Sequence, residues 1–189
     1  VTQEDKRKGR GKKLLPTPVK ERAQALNIPV YQPENINTPE ALQRLRDEDP
    51  DLFIVVAYGQ ILKKELLEIP KRYIMNVHSS LLPRHRGAAP MQWAILAGDE
   101  KTGVSFMQIE EGLDSGPVYD TRSIEIGDKN FGEVHDLLAD MGADLLKQFI
   151  QDMESGEITL NEQDDSLATY ASKIDDDLLA IDARGLTAD

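Results

Sequence analysis

Three residues carry the most direct chemistry in the chain: Asn76 and His78 in Asn76-Val77-His78, and Asp114 in Leu113-Asp114-Ser115-Gly116. Asn76 and His78 are two apart, so on an extended strand both side chains point to one side. An amide, an imidazole and a carboxylate together suit acyl transfer to an amine. Attack on the acyl carbon leaves a developing oxyanion. Asn76 can donate an N–H to it, and a protonated His78 a charge-assisted hydrogen bond. Asp114 would orient His78 and assist removal of the amine proton, directly or through water. The attacking amine is the nucleophile, so neither Ser79 nor Ser80 is required, and no G-x-S-x-G elbow surrounds them. No metal is expected: His78 and His85 lack partners at ligand spacing.

A lone histidine at a strand end is ordinarily a packed or solvated residue. Three features favour chemistry here. Asn76 shares its face, residues 79–87 form a loop rich in Ser, Pro, Arg and Gly, and Asp114 stands in a glycine-flanked turn. The elements that must position these residues alternate. Residues 1–16 read as a basic loop. Residues 17–27 read as a helix with Val19, Ala23 and Leu26 on one face. Pro29-Val30-Tyr31 is a short strand candidate. Thr38 is an N-cap with Pro39 at the first helical position, and Ala41, Leu42 and Leu45 form the stripe.

The unbroken apolar run 52–58 predicts a strand covered on both faces. Residues 73–78 form a second strand that ends on polar groups. Residues 88–96 read as a helix closing at Gly98. Strands are expected at 103–109 and 118–126, with Gly112 and Gly116 bracketing the turn between them. The clearest helix spans 131–153, with Phe131, Val134, Leu138, Met141, Leu145, Phe149 and Met153 at helical spacing. From Glu157 the tail is polar and weakly patterned. Helices alternating with buried strands argue for an open α/β sheet, whose ligands lie beyond the carboxyl ends of the strands.

Composition narrows the class. The chain has 189 residues with 40% hydrophobic content, which suits one domain with a real core. There is no cysteine, which excludes disulfides and fits a reducing, cytoplasmic setting. No apolar run approaches the roughly 20 residues of a membrane span, and no apolar stretch follows the first five residues as in a signal peptide. Residues 1–22 hold eight basic and three acidic residues, a local charge of +5, while the rest carries −17 of the total −12. On charge alone a solubilising terminus is the plainer reading of that basic segment.

The ordered string Asn76-x-His78-x-Ser80-Leu81-Leu82-Pro83-x-x-Arg86-Gly87-x-x-Pro90, then Thr102-Gly103-Val104 and Leu113-Asp114-x-Gly116, resembles the signature of folate-dependent formyltransferases. The resemblance covers about residues 3–174; residues 1–174 are assigned to the catalytic domain, with 1–16 as its basic loop, and 175–189 to the start of a linker toward a C-terminal domain. It implies a Rossmann-like, open and mostly parallel sheet with flanking helices, and a formyl donor, 10-formyltetrahydrofolate. Tyr58, Gly59, Gln60, Ile61 and Leu62 would meet the pterin, together with Ser80, Leu81, Leu82, Pro83, Gly112 and Leu113. Arg84 and Arg86 are either contacts to a phosphate or the folate's glutamate tail, or surface charges. The segment with Lys6, Arg7, Lys8, Arg10, Lys12 and Lys13 is similar to the basic loop of the branch that formylates methionyl initiator tRNA, so these cations become expected tRNA contacts.

This chain departs from the family pattern at several points. The family's first strand-helix-strand unit and its C-terminal β-barrel are not found in it. Glu4 and Arg7 stand where the basic loop usually has prolines, and Ala183 where a tryptophan is usual. The resemblance implies formyl transfer to methionyl initiator tRNA by a protein that is monomeric when complete. The alternatives are the same chemistry on glycinamide ribonucleotide or a nucleotide sugar, and a non-catalytic RNA-binding fragment.

Overall fold

The computed structural model of the chain describes residues 1–8 and 13–175. The chain packs as two compact units, Val1–Asn76 and Val77–Asp189. The first opens with β1 (Lys6–Lys8) and β2 (Lys13–Leu15), antiparallel with Lys6 opposite Leu15 and Lys8 opposite Lys13. The expected loop at residues 1–16 is therefore a hairpin in part. Three-residue strands are too short to show a period, and their mutual pairing supplies what propensity does not.

Helix α1 (Pro18–Ala25) starts as its sequence dictates: the Thr17 hydroxyl accepts the Lys20 N–H, and Pro18 occupies the first position. Its expected apolar face is not buried, and Val19 is 61% exposed. The helix is tethered through polar contacts instead, with Lys20 Nζ on both oxygens of Asp5 at 2.9 and 2.8 Å. No strand forms at Pro29-Val30-Tyr31. Pro29 and Pro33 offer no N–H to a ladder, and the Tyr31 carbonyl accepts the Thr2 N–H.

Helix α2 (Pro39–Asp47) has the expected Thr38 cap and buries Ala41, Leu42 and Leu45. Strand β3 (Leu52–Val55) pairs in parallel with β4 (Tyr73–His78), from Leu52 opposite Tyr73 to Val55 opposite Asn76. Helix α3 (Lys64–Leu67) lies between them in sequence. The expectation that β3 is covered on both faces fails, because all four of its residues are half-buried. Its side chains line a cavity of about 230 Å³ with Val1, Ile36, Leu45, Tyr58 and Leu66. An apolar run reports affinity for cover, not how much cover is supplied.

The second unit begins with the last two residues of β4. It continues through β5 (Arg86–Gly87), α4 (Pro90–Leu96), β6 (Lys101–Gln108), β7 (Val118–Glu125) and α5 (Phe131–Ser155). A 3₁₀ turn at Asp165–Leu167 and β8 (Tyr170–Ala171) follow. β6 and β7 pair antiparallel from Lys101 opposite Glu125. Helix α5 opens on a capping box: Asn130 accepts the Glu133 N–H, and Glu133 accepts the Asn130 N–H. Its predicted stripe buries Val134, Leu138, Leu145 and Phe149. Phe149 meets Phe106 of β6 and Tyr119 of β7 edge to face, with centroids 5.0 and 5.1 Å away.

The expected α/β class is thus the class observed. The described part of the tail, residues 157–175, read as weakly patterned, is structured in part. Asn161 exchanges backbone hydrogen bonds of 2.8 Å with Val118, and β8 pairs in parallel with β5, Arg86 opposite Tyr170. A two-residue strand leaves no periodic trace in sequence. Among the described residues no helix is long and apolar enough to cross a membrane.

Phe149→Ala should destabilise the protein by about 3–5 kcal/mol in urea unfolding, because it empties a fully buried aromatic site. Leu137→Ala on the same helix, at a residue 40% exposed, should cost no more than about 1 kcal/mol. Equal losses would show that the aromatic cluster is not the core of this unit.

Candidate active site

His78 closes β4 and is 5% exposed. Its Nε2 donates to the His85 carbonyl at 3.1 Å. A carbonyl only accepts, so this contact keeps a proton on Nε2 and turns Nδ1 to the other side. There Nδ1 lies 3.8 Å from Asp114 Oδ2, an ion-pair distance rather than a direct hydrogen bond. A proton on Nδ1 would face that carboxylate. Asn76 stands two residues earlier on the same strand.

Asp114 sits in the left-handed region, with φ 50°, uncommon for a residue with a Cβ. Its Oδ2 accepts the Gly87 N–H at 2.8 Å. Its carbonyl accepts Gln163 Nε2 at 2.9 Å, and the same nitrogen donates to the Gly116 carbonyl at 2.7 Å. Two glycines permit this geometry. At Gly116 a Cβ would lie 2.1 Å from the Gln108 carbonyl oxygen, and at Gly87 (φ 122°) it would lie 2.6 Å from that of Ala171.

Gln163 is held in turn by Arg86, which is 3% exposed. Arg86 Nε and Nη2 both donate to Gln163 Oε1, at 3.1 and 2.8 Å, and Nη2 also reaches Asp165 Oδ1 at 2.7 Å. Arg86 is therefore neither a surface charge nor turned outward to a ligand. Arg84 is engaged as well: its guanidinium grips the Asp99 carboxylate at both oxygens. Asp99 also accepts His85 Nε2 at 2.7 Å. His85 has φ 59°, and its N–H donates to Thr169 Oγ1 at 2.9 Å.

Among the residues expected to meet folate, Ser80 is fully buried. Its hydroxyl donates to the Arg84 carbonyl at 2.6 Å, while its own carbonyl accepts the Ser105 hydroxyl at 2.7 Å. The Leu82 N–H donates to Ser105 Oγ. Leu81 and Pro83 are half-buried in the same loop, and Leu113 is exposed beside Gly112.

In the first unit, the Tyr58 carbonyl accepts Gln3 Nε2, beside Gly59 in a left-handed turn. Gln60 accepts the Ile36 N–H and donates to the Glu34 carbonyl. Ile61 is 85% exposed, and Leu62 lines the cavity beside β3. Of the basic segment, Lys6, Arg7 and Lys13 are exposed on the hairpin, and Lys8 ends its first strand. Arg10 and Lys12 lie outside the described residues, as do the linker residues from 176.

Sequence reasoning missed Gln163, Thr169 and the structural roles of His85 and Asp99. The available signal was a cluster of polar side chains, Asn161, Gln163, Asp164 and Asp165, in a segment otherwise read as tail.

Residues 1–150 match the family profile described as formyl transferase. The chain is 51% identical over 183 residues to a methionyl-tRNA formyltransferase of Clostridium novyi, covering 96% of this chain and 59% of that protein. It is 48% identical to the same enzyme of Kosmotoga olearia, covering 92% of this chain and 56% of that protein. The chain thus spans little more than half the length of these curated relatives. Among solved structures, a phosphoribosylglycinamide formyltransferase from Bacillus halodurans is 26% identical with a TM-score of 0.61, covering 67% of this chain and 70% of that one. HypX from Aquifex aeolicus, solved with tetrahydrofolic acid, shares the fold at 18% identity and a TM-score of 0.69, covering 79% of this chain and 26% of that one.

The Arg84 guanidinium, with His85, holds the Asp99 carboxyl below its ordinary value of 3.8, against the opposing effect of burial. A depressed carboxylate contributes stability that is present above its unfolded value and lost as pH falls through the folded one. Asp99→Asn should therefore lower the urea midpoint at pH 7. The gap to wild type should narrow as pH drops below 3.8. A gap independent of pH would remove Asp99 from the acid response.

Proposed function

The chain belongs to the formyl transferase family, and on that premise we propose that it serves the transfer of a formyl group from 10-formyltetrahydrofolate to the amino group of methionyl initiator tRNA, in support of translation initiation. The observation that carries the reading is the buried His78 with Nδ1 directed at Asp114, 3.8 Å away. A pair so arranged suits a reaction in which negative charge develops on a carbonyl oxygen while an amine loses a proton. With Nε2–H kept on the His85 carbonyl, a protonated Nδ1 would donate to that oxygen as its charge grows, alongside the Asn76 amide. Asp114, 3.8 Å from Nδ1, would stabilise the imidazolium by its charge and accept the amine proton, directly or through water. The Ser80 hydroxyl is fully buried and donates to the Arg84 carbonyl, which is consistent with the amine acting as nucleophile.

The folate assignment draws on the chemistry of the residues at hand. Leu113, 59% exposed in the turn that carries Asp114, presents an apolar surface that suits the face of a pterin. The donor, once bound, supplies the formyl group. The tRNA assignment rests on the hairpin, where Lys6, Arg7 and Lys13 form a basic projection on a strongly acidic chain. Such a local patch suits a phosphate backbone.

The test is formylation of charged initiator tRNA by the longest gene product that contains this chain, with glycinamide ribonucleotide and nucleotide-sugar amines as competitors. His78→Ala and Asp114→Asn should each lower kcat by at least about 10²-fold. Near-normal rates for either would overturn the assignment. Replacing Lys6, Arg7 and Lys13 together by Ala should raise KM for tRNA about tenfold or more while KM for the folate donor stays nearly constant. Equal effects on both substrates would remove tRNA from the reading, and preference for a small amine would redirect it.

A further inference from the structure

The His78–Asp114 pair is held from a part of the chain that lies beyond residue 150, where the match to the family profile ends. We propose that residues 161–172 form a positioning strap for this pair, with Gln163 and Thr169 as its positioning residues.

Each member of the pair is tied to the strap through one intermediary or none. Asp114 is held directly: Gln163 Nε2 donates to its carbonyl and to that of Gly116, at 2.9 and 2.7 Å. This pins a left-handed residue that its own φ/ψ preference would release. The Asp114 carboxylate is aimed by the Gly87 N–H, and Gly87 is registered against Ala171 in the β5–β8 pairing. His78 is oriented by the His85 carbonyl, and the His85 N–H donates to Thr169 Oγ1 at 2.9 Å. The strap is anchored at its ends by the Asn161–Val118 bridge and by Trp93 Nε1 on the Ser172 carbonyl at 2.8 Å.

The Gln163 amide is used on both sides. Its oxygen takes two guanidinium N–H groups from Arg86, and its nitrogen supplies two carbonyls. Reversing the amide would set N–H against guanidinium and oxygen against carbonyl, so only one orientation satisfies the site. A carboxylate at this position could still accept from Arg86 but would repel both carbonyls. Gln163→Glu therefore tests the strap's grip on Asp114. Thr169→Val, nearly isosteric, strands the His85 N–H and tests its grip on His78, and Thr169→Ser keeps the hydroxyl.

The kinetic half of the test rests on the formyl-transfer reading, and the spectroscopic half does not. In the longest gene product containing this chain, the ¹⁵N shifts of the His78 ring report where its protons lie. Thr169→Val and Gln163→Glu should move these shifts and lower kcat on the order of 10- to 100-fold, with both KM values little changed, as expected for a misplaced catalytic pair. Thr169→Ser should restore both. Unmoved His78 shifts in folded variants would overturn the strap, as would a loss of kcat that only follows the loss of folded protein. If the wild type transfers no formyl group, the reading of function fails while the ring shifts still decide the strap. If Gln163→Glu does not fold, the Thr169 variants decide it.

Discussion

A guanidinium removed from water must find acceptors inside the protein, because an unpaired buried charge costs several kcal/mol. Arg86 is such a group, 3% exposed, and it finds Gln163 and Asp165. That requirement fixes which way the Gln163 amide faces, and the amide nitrogen then has two hydrogens to place. They go to the carbonyls of Asp114 and Gly116. The left-handed turn after β6 is thus held by the burial of the arginine that opens β5. One residue of the tail thus joins Arg86 to the turn that carries Asp114.

The same logic governs His78. Its burial leaves the ring few partners, and the one beside Nε2 is a carbonyl. The proton on that nitrogen follows from the acceptor's nature, and the free direction of the ring follows from the proton. His85 offers its carbonyl in a left-handed conformation, with its ring on Asp99 and its N–H on Thr169. The Arg84–Asp99 ion pair therefore helps to fix the loop that presents the His85 carbonyl to His78.

The first unit uses a comparable device on a smaller scale. Asp5 accepts Lys20 Nζ on both oxygens and Gln32 Nε2 at 2.8 Å, and Gln32 also donates to the Gln3 carbonyl. Gln32 first, then Lys20, holds the Asp5 carboxyl below its usual range. The base of the basic hairpin is thereby tied to α1 and to the segment that follows it. Pairing of β1 with β2 orders Lys6–Lys8 and Lys13–Leu15 within a segment that read as loop, and leaves Lys6, Arg7 and Lys13 exposed.

Much was legible in the residues alone. The Thr38-Pro39 start, the stripe of α5, the strand 73–78 and the α/β alternation all follow from short-range periodicity and caps, because those interactions lie within one or two turns of the chain. So did the candidate chemistry of His78 and Asp114. What the sequence left undetermined depends on partners distant in the chain. The tail showed no period because its two-residue strand is set by β5, and the arginines of residues 84–86 looked ambiguous because Asp99, Gln163 and Asp165 decide their roles. The apolar run of β3 predicted full cover, but how much cover it receives depends on what packs against it. The sequence by itself determined the chemical character of the groups proposed to act, the imidazole of His78 and the carboxylate of Asp114. The tertiary structure alone decided how they are held, because orientation comes from hydrogen bonds closed across loops of up to 84 residues.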